Sequence, residues 1–207
     1  MSDKRLVYIV DDEESIRRSA SFMLKTSGFA VKVCESGAEL LKDIRHAAPG
    51  CILLDVRMPG MDGLGVQQAL AQHGITLPVV IMTGHGDVSI AVRAMKAGAV
   101  DFIEKPFEKA TVLAALSAAF DRLERSVQRD ERAADAAVML QALTAREREV
   151  LAGLANGLPN KTIGYDLGIS PRTVEVHCAN LMIKLEVRIL SVALRIAFAA
   201  GLGAGPV

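Results

Sequence analysis

Residues 51–63 read CILLDVRMPGMDG. Four apolar residues lead into Asp55, and a turn follows that is punctuated by Pro59, Gly60 and Gly63. A short apolar run bounded by turn signals suits a strand buried on both faces of a parallel sheet. Four other runs have the same texture: Leu6–Val10 (LVYIV), Ala30–Cys34 (AVKVC), 79–82 (VVIM) and 101–103 (DFI). Between them, residues 14–27, 37–45, 64–73 and 88–97 carry helical spacing. Gly28, Gly74 and Gly98 stand where such helices close, because glycine readily takes the left-handed conformation of a C-cap. Strands alternating with helices predict a doubly wound α/β domain: a five-stranded parallel sheet with helices on both faces.

From Glu108 the texture turns helical. Leu113, Leu116, Phe120, Leu123 and Val127 step by three and four, which reads as the core face of a fifth helix. Two heptads fall short of a coiled coil. Beyond it, residues 121–142 are charged and alanine-rich without Gly or Pro, a composition that predicts a helical linker. At Leu143 a second domain begins. Thr144 followed by Glu147 is a capping box, residues 161–167 form a short helix closed by Gly168, and Ser170-Pro171 opens a longer one. Short helix, tight turn and longer helix make a helix-turn-helix. The expected boundaries are 1–120, 121–142 and 143–207.

The 207 residues carry 24 basic and 24 acidic side chains. The chain as a whole is therefore no polycation that grips nucleic acid by bulk charge. Residues 143–207 hold seven basic and five acidic side chains, a weak positive bias. With 51% hydrophobic residues the chain is not disordered by composition. Its three cysteines, Cys34, Cys51 and Cys178, form no CxxC pair, which disfavours a disulfide framework or a cysteine zinc site. Leu6–Val10 is too short for a signal peptide. The apolar stretch 189–207 carries Arg195 and three glycines, so it reads as an amphipathic helix and not a membrane span. These features predict a cytoplasmic protein without a membrane partner.

The polar residues fall at the strand ends. The first strand runs into Asp11 and Asp12, the third into Asp55, the fourth into Thr83 and the fifth into Lys105. In an open parallel sheet, ligands bind beyond the carboxyl ends of the strands, so all five side chains are expected in one pocket. Two carboxylates about 5 Å apart at an effective dielectric of about 20 repel by roughly 3 kcal/mol. Three of them call for a cation or a proton. An all-oxygen site with one ammonium nearby suits Mg²⁺, which couples carboxylates to a phosphate. Asp55 is then the natural nucleophile for a phosphoryl group, with Lys105 offsetting charge and the Thr83 hydroxyl donating a hydrogen bond.

These residues resemble the two-component receiver domain: Asp11-Asp12, LLDVRMPGMDG around Asp55, MTGHGD around Thr83, and FIEKPF around Lys105-Pro106. The resemblance implies a flavodoxin-like fold and phosphotransfer from a histidine kinase onto Asp55. It also implies Mg²⁺ held by Asp12, Asp55 and the backbone carbonyl of Arg57, with Asp11 acting mostly through water, and a cis Lys105–Pro106 bond. Phe102 falls at the family's aromatic switch position, coupled to Thr83; plain core packing is the other reading of that ring. Arg57 and His85 stand where the family tunes acyl-phosphate lifetime. An aspartyl-phosphate hydrolase of the haloacid dehalogenase type needs an acid two residues after its nucleophile, where this chain has Arg57. The chain is therefore read as a regulator and not as an enzyme.

Residues 143–185, LTAREREVLAGLANGLPNKTIGYDLGISPRTVEVHCANLMIKL, resemble the LuxR-type helix-turn-helix of the NarL/FixJ response regulators, in the FixJ-like subgroup. Residues 171–185 would be the recognition helix. Arg172, Thr173, Glu175, Val176 and Ala179 are expected toward DNA, and Val174, Leu181 and Leu185 toward the core. Lys161, Arg172, Lys184 and Arg188 are expected as phosphate contacts, which position a protein without reading sequence. His177 fits either DNA contact or internal packing. Cys178 replaces a frequent arginine, and Ile189 replaces the usual cap of the last helix, 190–200. The implied function is a phosphorylation-driven homodimer, paired through the fourth-helix and fifth-strand face, that binds promoter DNA and regulates transcription. A module whose second domain binds protein or RNA is the alternative.

Overall fold

The structure is a computed structural model that describes residues 4–84 and 88–203. The chain divides into two compact units, Met1–Arg125 and Ser126–Val207.

In the first unit the strands are β1 (Leu6–Val10), β2 (Ala30–Cys34), β3 (Gly50–Asp55), β4 (Val79–Thr83) and β5 (Asp101–Glu104). They form one parallel sheet in the order β2-β1-β3-β4-β5. The helices are α1 (Glu14–Thr26), α2 (Gly37–Asp43), α3 (Gly63–Gln72), α4 (Val88–Lys96) and α5 (Lys109–Leu140). Strand alternation sorts the core into two layers. Tyr8, Val10, Ile52, Leu54 and Ile81 face a cluster completed by Leu40, Val66 and Leu70. Val7, Ile9, Cys51, Leu53, Val80 and Met82 face another, completed by Leu24 of α1 and by Leu116 and Phe120 of α5. Every residue of β3 is buried, as its unbroken apolar run requires. The order reverses between β1 and β3, so the crevice of this sheet opens where Asp11, Asp12 and Asp55 emerge.

Helix α5 is continuous over 32 residues and includes the stretch 121–140 expected to be helical. Leu116 and Phe120 are buried while Val127 is exposed. The heptad-like stripe is thus the core face of the first half of α5 and then runs out into solvent.

The second unit comprises the end of α5 and α6 (Ala145–Ala155), α7 (Asn160–Leu167), α8 (Pro171–Lys184) and α9 (Leu190–Ala199). The capping box forms as its residues predict: the Thr144 hydroxyl accepts from the Glu147 N–H, and the Glu147 carboxylate accepts from the Thr144 N–H at 2.8 Å. Gly168 closes α7 in the left-handed conformation (φ 66°), and the Ser170 side chain caps α8. Gly164 has no room for a side chain, since a Cβ would lie 2.7 Å from the Ile169 carbonyl oxygen. That close approach sets the tight helix-turn-helix corner. Ile189 leaves α9 without a side-chain cap, as its apolar side chain dictates. Among the described residues no helix is long and apolar enough to cross a membrane.

Candidate functional site

The crevice gathers its residues by strand register. Asp11 and Asp12 follow the end of β1, and Asp55 ends β3, which pairs with β1 through Leu54 and Val10. Asp55 in turn pairs with Met82, the residue before Thr83. Asp11, Asp55 and Thr83 are buried, at 0%, 5% and 3% exposure, while Asp12 is exposed. One carboxylate oxygen from each of Asp11, Asp12 and Asp55 lies within 4.8 Å of the others. The Lys105 ammonium reaches Asp11 Oδ2 at 2.7 Å and Asp55 Oδ1 at 3.1 Å. The peptide joining Lys105 to Pro106 is cis. The Thr83 hydroxyl is bonded to the Gly84 carbonyl at 3.3 Å.

Burial pushes the Asp55 carboxyl above its ordinary value, the nearby Lys105 ammonium draws it back, and Asp11 pushes it up again; the net direction is upward. The backbone N–H of Arg57 also donates to Asp55. The Lys105 ammonium thus does not fully offset the burial of the Asp55 carboxyl and its neighbour Asp11. A hard divalent cation fits this donor set, which is all oxygen and short of positive charge. Asp62, in the turn after β3, caps α3 by accepting from the Gly65 N–H at 2.7 Å.

Gly63, which ends the motif around Asp55, has a packing role. A Cβ there would come within 2.4 Å of the Asp55 carbonyl oxygen and 2.8 Å of Val56 Cα. The start of α3 thus packs directly on the backbone carrying Asp55. Gly63→Ala is expected to destabilise the first unit by about 1–3 kcal/mol, as overpacking does. Chemical denaturation checks this, and an unchanged midpoint would contradict it.

Phe102 is 46% exposed and belongs to neither core layer, which removes the plain packing reading. The β4–β5 register pairs Phe102 with Ile81 and Glu104 with Thr83. Phe102 and Thr83 therefore lie on the same face of the sheet, one pair apart. His85 lies outside the described residues.

In the second unit α8 buries Val174 and Leu181, with Leu185 after it, as the sequence predicts. Arg172, Glu175, Val176 and Ala179 are exposed, and so are Lys161 and Arg188. The Arg172 guanidinium holds Glu175 at 2.7 Å. Thr173 is half-buried, its hydroxyl 2.8 Å from that of Ser170. His177 is half-buried. Cys178 packs against the core; burial, then Glu175, pushes its thiol up.

Lys184 has a partner within the unit. Lys184 is exposed, and its ammonium is bonded at 2.7 Å to the buried Glu147, an ion pair that competes with any contact to phosphate. Burial works against the Glu147 charge, but the bonds from Lys184 and Thr144 outweigh it and hold the carboxyl below its ordinary value. The exposed face of α8 runs one turn beyond Ala179. Asn180 is exposed and Ile183 is 73% exposed, continuing the steps of three and four from Arg172 through Val176 and Ala179.

Residues 7–117 match the response regulator receiver domain family, and residues 141–197 match the family of bacterial regulatory proteins, luxR family. The chain belongs to the two-component response regulators that join a receiver domain to a LuxR-type helix-turn-helix domain. Within them it is a FixJ-like transcription regulator. It is 47% identical to the transcriptional regulatory protein FixJ of Rhizobium meliloti, over 95% of this chain and 97% of that one. With the FixJ of Azorhizobium caulinodans it shares 44% identity over 97% and 95%. Among solved structures it is similar to full-length FixJ from B. japonicum, at 41% identity and a TM-score of 0.61, covering 96% and 98% of the two chains. It is likewise similar to the response regulator StyR, at 37% identity and a TM-score of 0.72, covering 94% and 98%.

Proposed function

We propose that this chain accepts a phosphoryl group from a histidine kinase on Asp55, and that the modification shifts it to a homodimer that binds promoter DNA. The observation that carries the proposal is the crevice itself: three carboxylates within 4.8 Å, one ammonium bonded to two of them, and a buried hydroxyl at the next strand end. Asp12, Asp55 and the Arg57 carbonyl would hold Mg²⁺, with Asp11 acting through water; when bound, the ion would neutralise charge on the carboxylates and on the incoming phosphoryl oxygens. An Asp55 carboxylate oxygen attacks the phosphorus, a P–O bond forms and the P–N bond to the kinase histidine breaks. Lys105, held beside the nucleophile by Asp11, offsets charge on the transferring group.

Thr83 then exchanges its bond with Gly84 for one with the phosphoryl group, and the exposed Phe102 ring on the same face turns toward the space vacated. Phosphorylation thereby selects one of two pre-existing arrangements, and the paired form meets two half-sites through the exposed face of α8. Arg172, Thr173, Glu175, Val176 and Ala179 line that face, while Lys161, Arg172 and Arg188 contact phosphates. Loss of the common arginine at Cys178 makes dimerisation carry more of the affinity.

Beryllofluoride with Mg²⁺, an acyl-phosphate analogue, is expected to turn the protein from monomer to dimer in sedimentation and to give salt-dependent retention of its promoter duplex. Asp55→Asn should respond to neither. Dimerisation of that variant on addition of the analogue, or duplex retention indifferent to salt, would contradict the proposal.

A further inference from the structure

The loop that carries the two N-terminal acids is held by a side chain that neither the motif nor the chemistry singled out. Arg17, in the first turns of α1, directs one terminal nitrogen, Nη1, at two backbone carbonyls, those of Asp11 and Asp12, each at 2.8 Å. Asp11 has other restraints. Its N–H donates to Cys34 at 3.2 Å, one carboxylate oxygen accepts from the Glu13 N–H at 2.9 Å, and the other accepts from Lys105. Asp12 has none of these. Its side chain is exposed, and Arg17 bonds the peptides on both sides of it: the Asp11–Asp12 peptide at the Asp11 carbonyl, and the Asp12–Glu13 peptide at the Asp12 carbonyl, where the Glu13 N–H is also tied to Asp11. Arg17 is thus the side chain that joins the two peptides flanking Asp12 to α1.

We infer that Arg17 is a positioning residue for the cation site: it clamps the Asp11–Asp12 backbone so that the Asp12 carboxylate faces Asp55. It touches neither ion nor phosphoryl group and acts through the peptide planes. The inference rests on the reading of Asp11, Asp12 and Asp55 as a Mg²⁺ site. Groups that orient ligands from behind commonly alter metal affinity by about 10–100-fold when removed.

The sign of the effect separates this role from simple electrostatics. Arg17 carries a positive charge near the site, so deleting it would tighten Mg²⁺ binding if charge alone mattered. Loss of the clamp weakens it instead. The test is a Mg²⁺ titration of the full chain, without phosphodonor, followed by amide NMR and accompanied by thermal melts. Four proteins are compared: wild type, Arg17→Met, Arg17→Lys and Asp12→Asn. Arg17→Met keeps the aliphatic stem along α1 and is expected to bind Mg²⁺ about 10-fold or more weakly than wild type. Arg17→Lys keeps the charge on a shorter side chain and should fall between the two. If Arg17→Met is partly unfolded at the assay temperature, Arg17→Lys decides by the same criterion of weaker binding at a wild-type melting temperature. Unchanged or tighter binding in a folded Arg17 variant, while Asp12→Asn loses the ion, overturns the clamp and leaves the metal reading intact. Failure of wild type to bind Mg²⁺ overturns both.

Discussion

Asp55→Asn protein will take up no phosphoryl group from acetyl phosphate and Mg²⁺, a loss of at least about 100-fold in incorporated label, because a neutral amide is no substitute for the carboxylate nucleophile. It will also melt at a higher temperature than wild type. The reason is the upward shift of the Asp55 carboxyl from its ordinary value of 3.8, caused by burial and opposed by Lys105. A folded-state value above the unfolded one means that Asp55 contributes most to stability below the unfolded value. That contribution is lost as pH rises through the folded value. At neutral pH the ionised group opposes folding, and the amide removes the opposition. Mg²⁺ should raise the melting temperature of wild type and leave the variant unmoved. Calorimetry with and without the ion reads both effects, and a variant less stable than wild type at pH 7 would contradict the cost of burying the ionised Asp55 carboxyl.

Lys184→Met is the second substitution with a large expected effect, and it lies far along the chain from the phosphoacceptor. The change leaves the buried Glu147 carboxylate with the Thr144 N–H and without its cation. Stranding a buried charged acceptor costs about 1–3 kcal/mol, and for a unit of this size each kcal/mol lowers the melting temperature by roughly 4–8 °C. The pair has a pH signature as well. Because the Glu147 carboxyl is held below its ordinary 4.5, its contribution is present above that value and fades as pH falls through the folded one. Lys184→Met should flatten this acid dependence. DNA binding supplies the contrast. A lysine that contacts phosphate reduces the salt slope by about one when removed, whereas a lysine committed to Glu147 leaves the slope of the folded protein unchanged. A wild-type melting temperature together with a reduced slope would restore Lys184 to the DNA surface.

What was legible in the sequence follows from range. The apolar run before Asp55, the alternation in the other strands and the glycines after the helices are local signals, and the five-stranded sheet follows from them. The pocket was legible because chain topology converts strand ends into neighbours: Asp11, Asp55 and Lys105 are distant in sequence, yet a parallel sheet has one carboxyl edge. The capping box of Thr144 and Glu147 was legible because its partners stand three residues apart. The remainder depends on how pieces meet in space. Glu147 and Lys184 are 37 residues apart, and nothing in either neighbourhood marks the other. Gly63 looks like turn chemistry until the Asp55 carbonyl is found against its Cα. Arg17 sits among other charged residues of α1, and its clamp is visible only once the carbonyls of Asp11 and Asp12 are seen to face it. Asn180 and Ile183 could have been found by carrying the helical step one turn further, as the exposed face of α8 does.

The central claim is that Asp11, Asp12, Asp55, Thr83 and Lys105 act as one pocket that delivers a phosphoryl group to Asp55. Peptide mass spectrometry of the protein after phosphorylation, with the acyl phosphate trapped by borohydride reduction, tests it most directly. A single trapped site is expected, Asp55, dependent on Mg²⁺ and absent from Asp55→Asn. A phosphoryl group recovered on another residue of wild-type protein, or label that persists in the variant, would contradict it.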